Sequence, residues 1–192
     1  GGTNVGVGAQ SLYDLTSGAN NIAMGYRAGY NLTTAAGNTI LGTQAVGTGI
    51  LTGANNVVIG KLAGDNMTSA DANVIIGEDA GAAQTTAGNN VLIGQGAGEG
   101  LTTGGDNIFV GTSAGDGHDA ETNNLGIGKA ALGGGIAGGE YNVAIGNQAL
   151  DALTSGDQNV AVGFASGTAL QGGANNTFVG NASGAAVTSG GN

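Results

Sequence analysis

The sequence has no cysteine, no proline and no tryptophan. Without cysteine there is no disulfide and no thiolate metal site, and the redox compartment leaves no mark. Charge is scarce: 8% of residues are Asp, Glu, Lys or Arg, against about 25% in an ordinary domain. What charge there is leans one way, 13 acids to 3 bases, for a net of −10. That balance argues against nucleic acid and anionic membrane surfaces as partners, since both attract Lys and Arg. It suits solubility outside a cell. No apolar run approaches the ~20 residues of a membrane-spanning helix, so no membrane insertion is expected.

Glycine is abundant, 43 of 192 residues. Aperiodic glycine at this density would argue for disorder. Here it is periodic, and 40% of the chain is apolar, so a packed core is expected. Eleven units begin at Asn4, Asn21, Asn38, Asn56, Asn73, Asn90, Asn107, Asn124, Asn142, Asn159 and Asn176. The step is the same throughout, but for a single extra residue between Asn38 and Asn56 and again between Asn124 and Asn142. A fixed period of this size marks a stacked repeat architecture. Residues 1–192 read as a single uncapped array. It opens in mid-unit and closes as a twelfth unit would begin. The expectation is a segment of a longer fibre, or a filament whose neighbours cap one another.

Within a unit, counted from its Asn, position 2 is Val, Ile, Leu or Thr, position 4 is apolar and position 5 is always Gly. Position 8 is always Ala or Ser, and near position 12 comes a second apolar residue, usually Leu, followed by Thr-Thr-Gly or Thr-Ser-Gly, as in Leu101-Thr102-Thr103-Gly104. The reading is all-β: a parallel β-solenoid, or β-roll, of eleven 17–18-residue coils. Positions 2 and 4 share a strand face by the period of two, and β-branched side chains suit a pleated surface. Gly at position 5 ends the strand. Ala or Ser at position 8 fits where a second wall crosses a thin core. Helix is not expected, because each interior Gly costs ~1 kcal/mol relative to Ala. Two roles stay open for the eleven asparagines: a ladder of amides bonded from coil to coil, or turn residues bonding their own backbone.

Position 3 carries no polar side chain in any unit. A strand apolar on both faces is buried on both, and one thin coil cannot cover both alone. The sequence therefore predicts that Ile40, Val58, Ile75, Leu92, Phe109 and Phe178 form an interchain seam. The partner is the chain itself, as a homo-oligomer, most simply three chains about one axis.

Units of the form Asn-Val-Ala-Ile-Gly, then Gln-Ala-Leu or Ala-Gly, then Leu-Thr-Ser/Thr-Gly, resemble the repeats of phage tail fibres and bacterial surface fibres. Asn142 to Gly156 and Asn21 to Thr34 carry the resemblance most closely. The pattern is also similar to the shorter head repeats of trimeric autotransporter adhesins. The resemblance implies an extracellular trimeric shaft or adhesive head, on a virion tail or cell surface, that meets a glycan or protein receptor. It supplies no catalytic residue.

No enzyme signature or cofactor site is found. Gly133 to Gly138 matches a dinucleotide fingerprint by letter only, as so many glycines make expected, and lacks the following helix. Asp116, His118, Asp119 and Glu121 crowd one turn of the seventh unit and are weak metal candidates; the alternative is a drifted loop. Leu132 to Tyr141 carries an inserted residue, as loops on a binding face sometimes do. Tyr13, Tyr26, Tyr30, Tyr141 and Phe164 are candidates for stacking on glycans. Four sequons, at Asn31, Asn66, Asn175 and Asn181, are explained by composition. The expected function is a non-enzymatic fibre segment. A self-assembling extracellular filament is the alternative. A Thr row at position 13, Thr16, Thr33, Thr52, Thr68, Thr85, Thr102, Thr154 and Thr188, raises ice binding as a third, broken at Asp119, Ala137 and Gln171.

Overall fold

The structure is a computed structural model describing residues 2–135 and 139–190. It contains eleven three-residue strands: β1 (Val5–Val7), β2 (Ile22–Met24), β3 (Thr39–Leu41), β4 (Val57–Ile59), β5 (Val74–Ile76), β6 (Val91–Ile93), β7 (Ile108–Val110), β8 (Leu125–Ile127), β9 (Val143–Ile145), β10 (Val160–Val162) and β11 (Thr177–Val179). They form one parallel sheet in sequence order, a β-solenoid. Register never slips: Val57 pairs with Val74, Val58 with Ile75 and Ile59 with Ile76, and so along the stack. Ten steps of ~4.8 Å give a rod roughly 50 Å long.

Each strand occupies positions 2 to 4 and stops at the invariant glycine, whose φ runs from +124° to +143°. A Cβ there would drive into the carbonyl of the matching glycine one coil on, from Gly8 against Gly25 to Gly163 against Gly180. Three further corners are left-handed in every described coil, at positions 7 and 9 and at the residue before the next Asn. Most are not glycine: Arg27, Leu62 and Asp79 at position 7 have φ of 55°, 58° and 58°. This conformation costs an L-residue roughly 1–2 kcal/mol. Coil-to-coil bonds offset it. The Gln44 amide donates to Tyr26 O at 2.9 Å, and the Asp79 amide to Lys61 O at 3.1 Å.

The faces are the reverse of the sequence reading. Ile40, Val58, Ile75, Leu92 and Phe109 are fully buried inside their own chain, and Phe178 is half-buried and packed on the same core. Position 3 points inward, so these six residues cannot be an interchain seam. The cause lies in the opposite wall, where position 8 is Ala or Ser and position 9 is commonly Gly. That leaves room between positions 3 and 9 for one large side chain in most coils, the third holding both Ile40 and Val46.

Sizes at positions 3 and 9 trade against each other. Large Leu92, Phe109 and Phe178 face Gly98, Gly115 and Gly184, where a Cβ would overlap the large side chain. Small Gly6, Gly126 and Ala144 share their coils with Leu12, Leu132 and Leu150. Where both are small, as at Ala23 and Gly29, Leu12 and Ile40 from the adjoining coils close in. Position 12 fills the remainder with buried Leu32, Met67, Leu101, Leu153 and Leu170, each stabilising by about 1.5–3 kcal/mol.

Candidate functional site

With position 3 turned inward, positions 2 and 4 face out. Together they make two columns of 22 side chains, 20 apolar and two Thr (Thr39 and Thr177), with no charge. Ile22, Met24, Ile108, Ile127 and Ile145 are 37–45% exposed, and Val5, Val7 and Val179 more so. The other side chains in these columns are half-buried by their neighbours, except the exposed Thr177 of the last strand. At ~4.8 Å between strands and ~7 Å between columns, the strip is about 50 Å by 15 Å, on the order of 700 Å². That exceeds the usual limit of roughly 300–600 Å² for the largest apolar patch on a monomer. It approaches the ~800 Å² each partner contributes to a stable interface. The edge of the strip at position 6 is polar or aromatic from the second coil on and includes the exposed Lys61–Glu78 pair at 2.8 Å.

The eleven asparagines form a continuous column. The backbone N–H of each donates to Oδ1 of the Asn one coil earlier at 2.9–3.0 Å, from Asn21 on Asn4 to Asn176 on Asn159. Each Nδ2 donates to a carbonyl later in its own coil, on a small residue in all but the seventh, such as Asn21 to Ala35 O and Asn73 to Ala87 O, with Asn107 on Glu121 O. The coil-to-coil bond recurs along the column, whereas a local bond to the carbonyl two residues earlier is made by Asn4, Asn38, Asn56, Asn73 and Asn176. Asn21 to Asn159 are buried, so these bonds are formed away from water, where an unmade one is costly.

The acidic turn of the seventh coil does not assemble a metal site. His118 takes the position 12 place of Leu and lies inside the core, tilted against Phe109 with ring centroids 4.7 Å apart. Neither ring nitrogen has a hydrogen-bond partner among the described residues. Burial pulls its pKa down to about 4, against a weaker upward pull from Glu121. Glu121 replaces a small residue and turns its carboxylate back: Oε2 accepts from the Asp119 and Ala120 amides at 2.8 and 3.1 Å. Asp119 faces out, accepting from the Thr102 hydroxyl. Asp116 is held apart, its pKa raised chiefly by burial. Among the described residues no group of His, Cys, Asp or Glu is placed to hold a metal.

The Thr row spends its hydroxyl protons on the next coil: Thr16 donates to Thr33 O, Thr68 to Thr85 O and Thr85 to Thr102 O at 2.9–3.1 Å. Of the aromatic candidates, Tyr26 and Tyr30 flank Arg27, and Tyr13 stacks on Tyr30. Tyr141 and Phe164 are exposed, with no ring contact among the described residues. The fingerprint from Gly133 to Gly138 and the insertion from Leu132 to Tyr141 fall partly outside the described residues. No pocket opens among the described residues. Compared with family models, curated proteins and solved structures, the chain finds no match.

Proposed function

We propose that this chain is a structural, non-enzymatic segment of an extracellular fibre, a shaft or adhesive head of the tail-fibre or adhesin kind, working as a trimer. The observation that carries this reading is the uncharged apolar strip along positions 2 and 4. It runs the whole stack on the outside of the coil, and its area suits a lasting contact better than open water. The partner is the chain itself. A rod of in-register coils repeats the same strip at every level, so that copies of the chain can meet one another along its length. Three copies about an axis agree with the repeats the sequence resembles. The acidic composition suits solubility outside the cell, on a virion or cell surface. The end that such a fibre presents would meet a glycan or protein receptor.

The test is mass in solution by light scattering, at micromolar protein. One chain is 18.0 kDa, and the expected mass is three times that. It should fall to the mass of one chain in the double variant Ile59→Lys, Ile76→Lys, with the circular dichroism unchanged. A soluble wild-type protein with the mass of a single chain would refute the proposal, and twice that mass would refute the count of three.

A further inference from the structure

Three of the four tyrosines and one of the three basic residues fall in the first two coils. Tyr13 and Tyr30 occupy the same place in successive coils and stack with centroids 5.1 Å apart and planes within 1°. The Arg27 guanidinium lies 4.8 Å from the centre of Tyr30 and 5.6 Å from that of Tyr26. Its Nε donates to Gln10 Oε1 at 2.8 Å. Tyr13 is 63% and Tyr26 48% exposed. The guanidinium is thus fixed at one nitrogen and against two rings, while its Nη groups meet no acceptor among the described residues. No carboxylate neutralises it either: the ion pair among those residues is Lys61–Glu78. Asp14, next to Tyr13, makes no pair with it. Ring stacking accounts for the tyrosines, but not for an oriented, unneutralised cation in a chain of net charge −10.

We infer that this cluster binds a carboxylate-bearing saccharide, with a uronate or sialate residue as the recognised unit. The planar guanidinium offers its two Nη groups to both oxygens of a carboxylate, a match that a lysine cannot make. The exposed tyrosine rings offer flat apolar faces to the C–H face of a pyranose, and their hydroxyls reach its oxygens. An apolar peptide anchor would need a concave pocket, and none opens among the described residues. The site is made by two coils of one chain, so it stands or falls apart from the trimer.

The full chain is titrated by isothermal calorimetry with tri-galacturonate and with 3′-sialyllactose. Methyl-esterified tri-galacturonate and lactose serve as the neutral counterparts. At least one acidic saccharide is expected to bind, its neutral counterpart about tenfold more weakly or worse. Arg27→Ala should lose about tenfold, Arg27→Lys should recover only part, and Tyr13→Ala and Tyr26→Ala should each weaken binding. These side chains are exposed enough that circular dichroism should be unchanged. Gln10→Ala, which frees the guanidinium without removing it, should weaken binding less than Arg27→Ala. The inference is overturned if neither acid binds at millimolar concentration, if the neutral forms bind equally, or if Arg27→Ala binds as wild type. Mass measured on the same samples separates loss of this site from loss of the assembly.

Discussion

Acid should weaken the stack through His118. The imidazole sits in the core at about 4 rather than 6.5, because burial penalises the charged ring more than Glu121 attracts it. Between those values the unfolded chain binds more protons than the folded one, so stability falls as pH falls. The loss begins near pH 6.5 and is complete below pH 4. The gap of 6.5 − 4, about 2.5 units, at ~1.36 kcal/mol per unit is about 3 kcal/mol. Roughly 2 kcal/mol of it is gone by pH 5. Asp116 and Asp151 act in the opposite sense, since burial raises both and their protonation favours the folded state. Comparison with His118→Leu cancels them, because both carboxylates remain. That variant restores the usual position 12 residue and removes two unpartnered buried nitrogens, worth ~1–3 kcal/mol. Denaturant unfolding of both proteins at pH 7 and pH 5, at one protein concentration, gives the two differences. The variant should be the more stable at pH 7, and its lead should widen by roughly 2 kcal/mol at pH 5. Parallel stability profiles would refute the reasoning and place His118 in water.

Asn73→Ala removes the acceptor of the Asn90 amide and one of the two acceptors of Gln84 Nε2, and leaves the Ala87 carbonyl to Gln84 alone. The expected cost is about 3 kcal/mol or more, read as a lowered denaturant midpoint, with hydrogen exchange fastest in the fifth and sixth coils. Leu92→Ala empties a filled core position beside Gly98 and should cost about 2–5 kcal/mol, with mass in solution unchanged. Dissociation without loss of stability would return Leu92 to the outside of the coil.

The solenoid is legible in the sequence because two demands recur at fixed places and admit few residues. Gly8 and its successors as far as Gly163 stand where any Cβ would strike the next coil, and Asn4 and its successors stand where one amide must bond both along and across the stack. The orientation of the strand is not legible from alternation, since Val74, Ile75 and Ile76 are all apolar and a period of two carries no sign there. The information lies elsewhere, in size: Phe109 with Gly115 and Gly126 with Leu132 are filled and vacated places in one interior. The left-handed corners at position 7 leave no mark because Gln10, Arg27, Leu62 and Ser113 share only their backbone bonds. Asp116 to Glu121 look like a cluster because the residues are close in sequence. At a corner, close residues diverge: His118 goes in, Asp119 goes out, and Glu121 folds back on its own amides.

The asparagine column has a direction. Every backbone N–H in it donates to the amide oxygen of the coil before, never to the one after, so the rod carries an arrow from one terminus to the other. A break anywhere along it bares hydrogen-bond donors on one fragment and acceptors on the other. Two fragments can rejoin only in their original sense, because a reversed coil would set donor against donor. The fold thereby proofreads its own polarity, and whole units, but not fractions of one, can be added or lost without disturbing it.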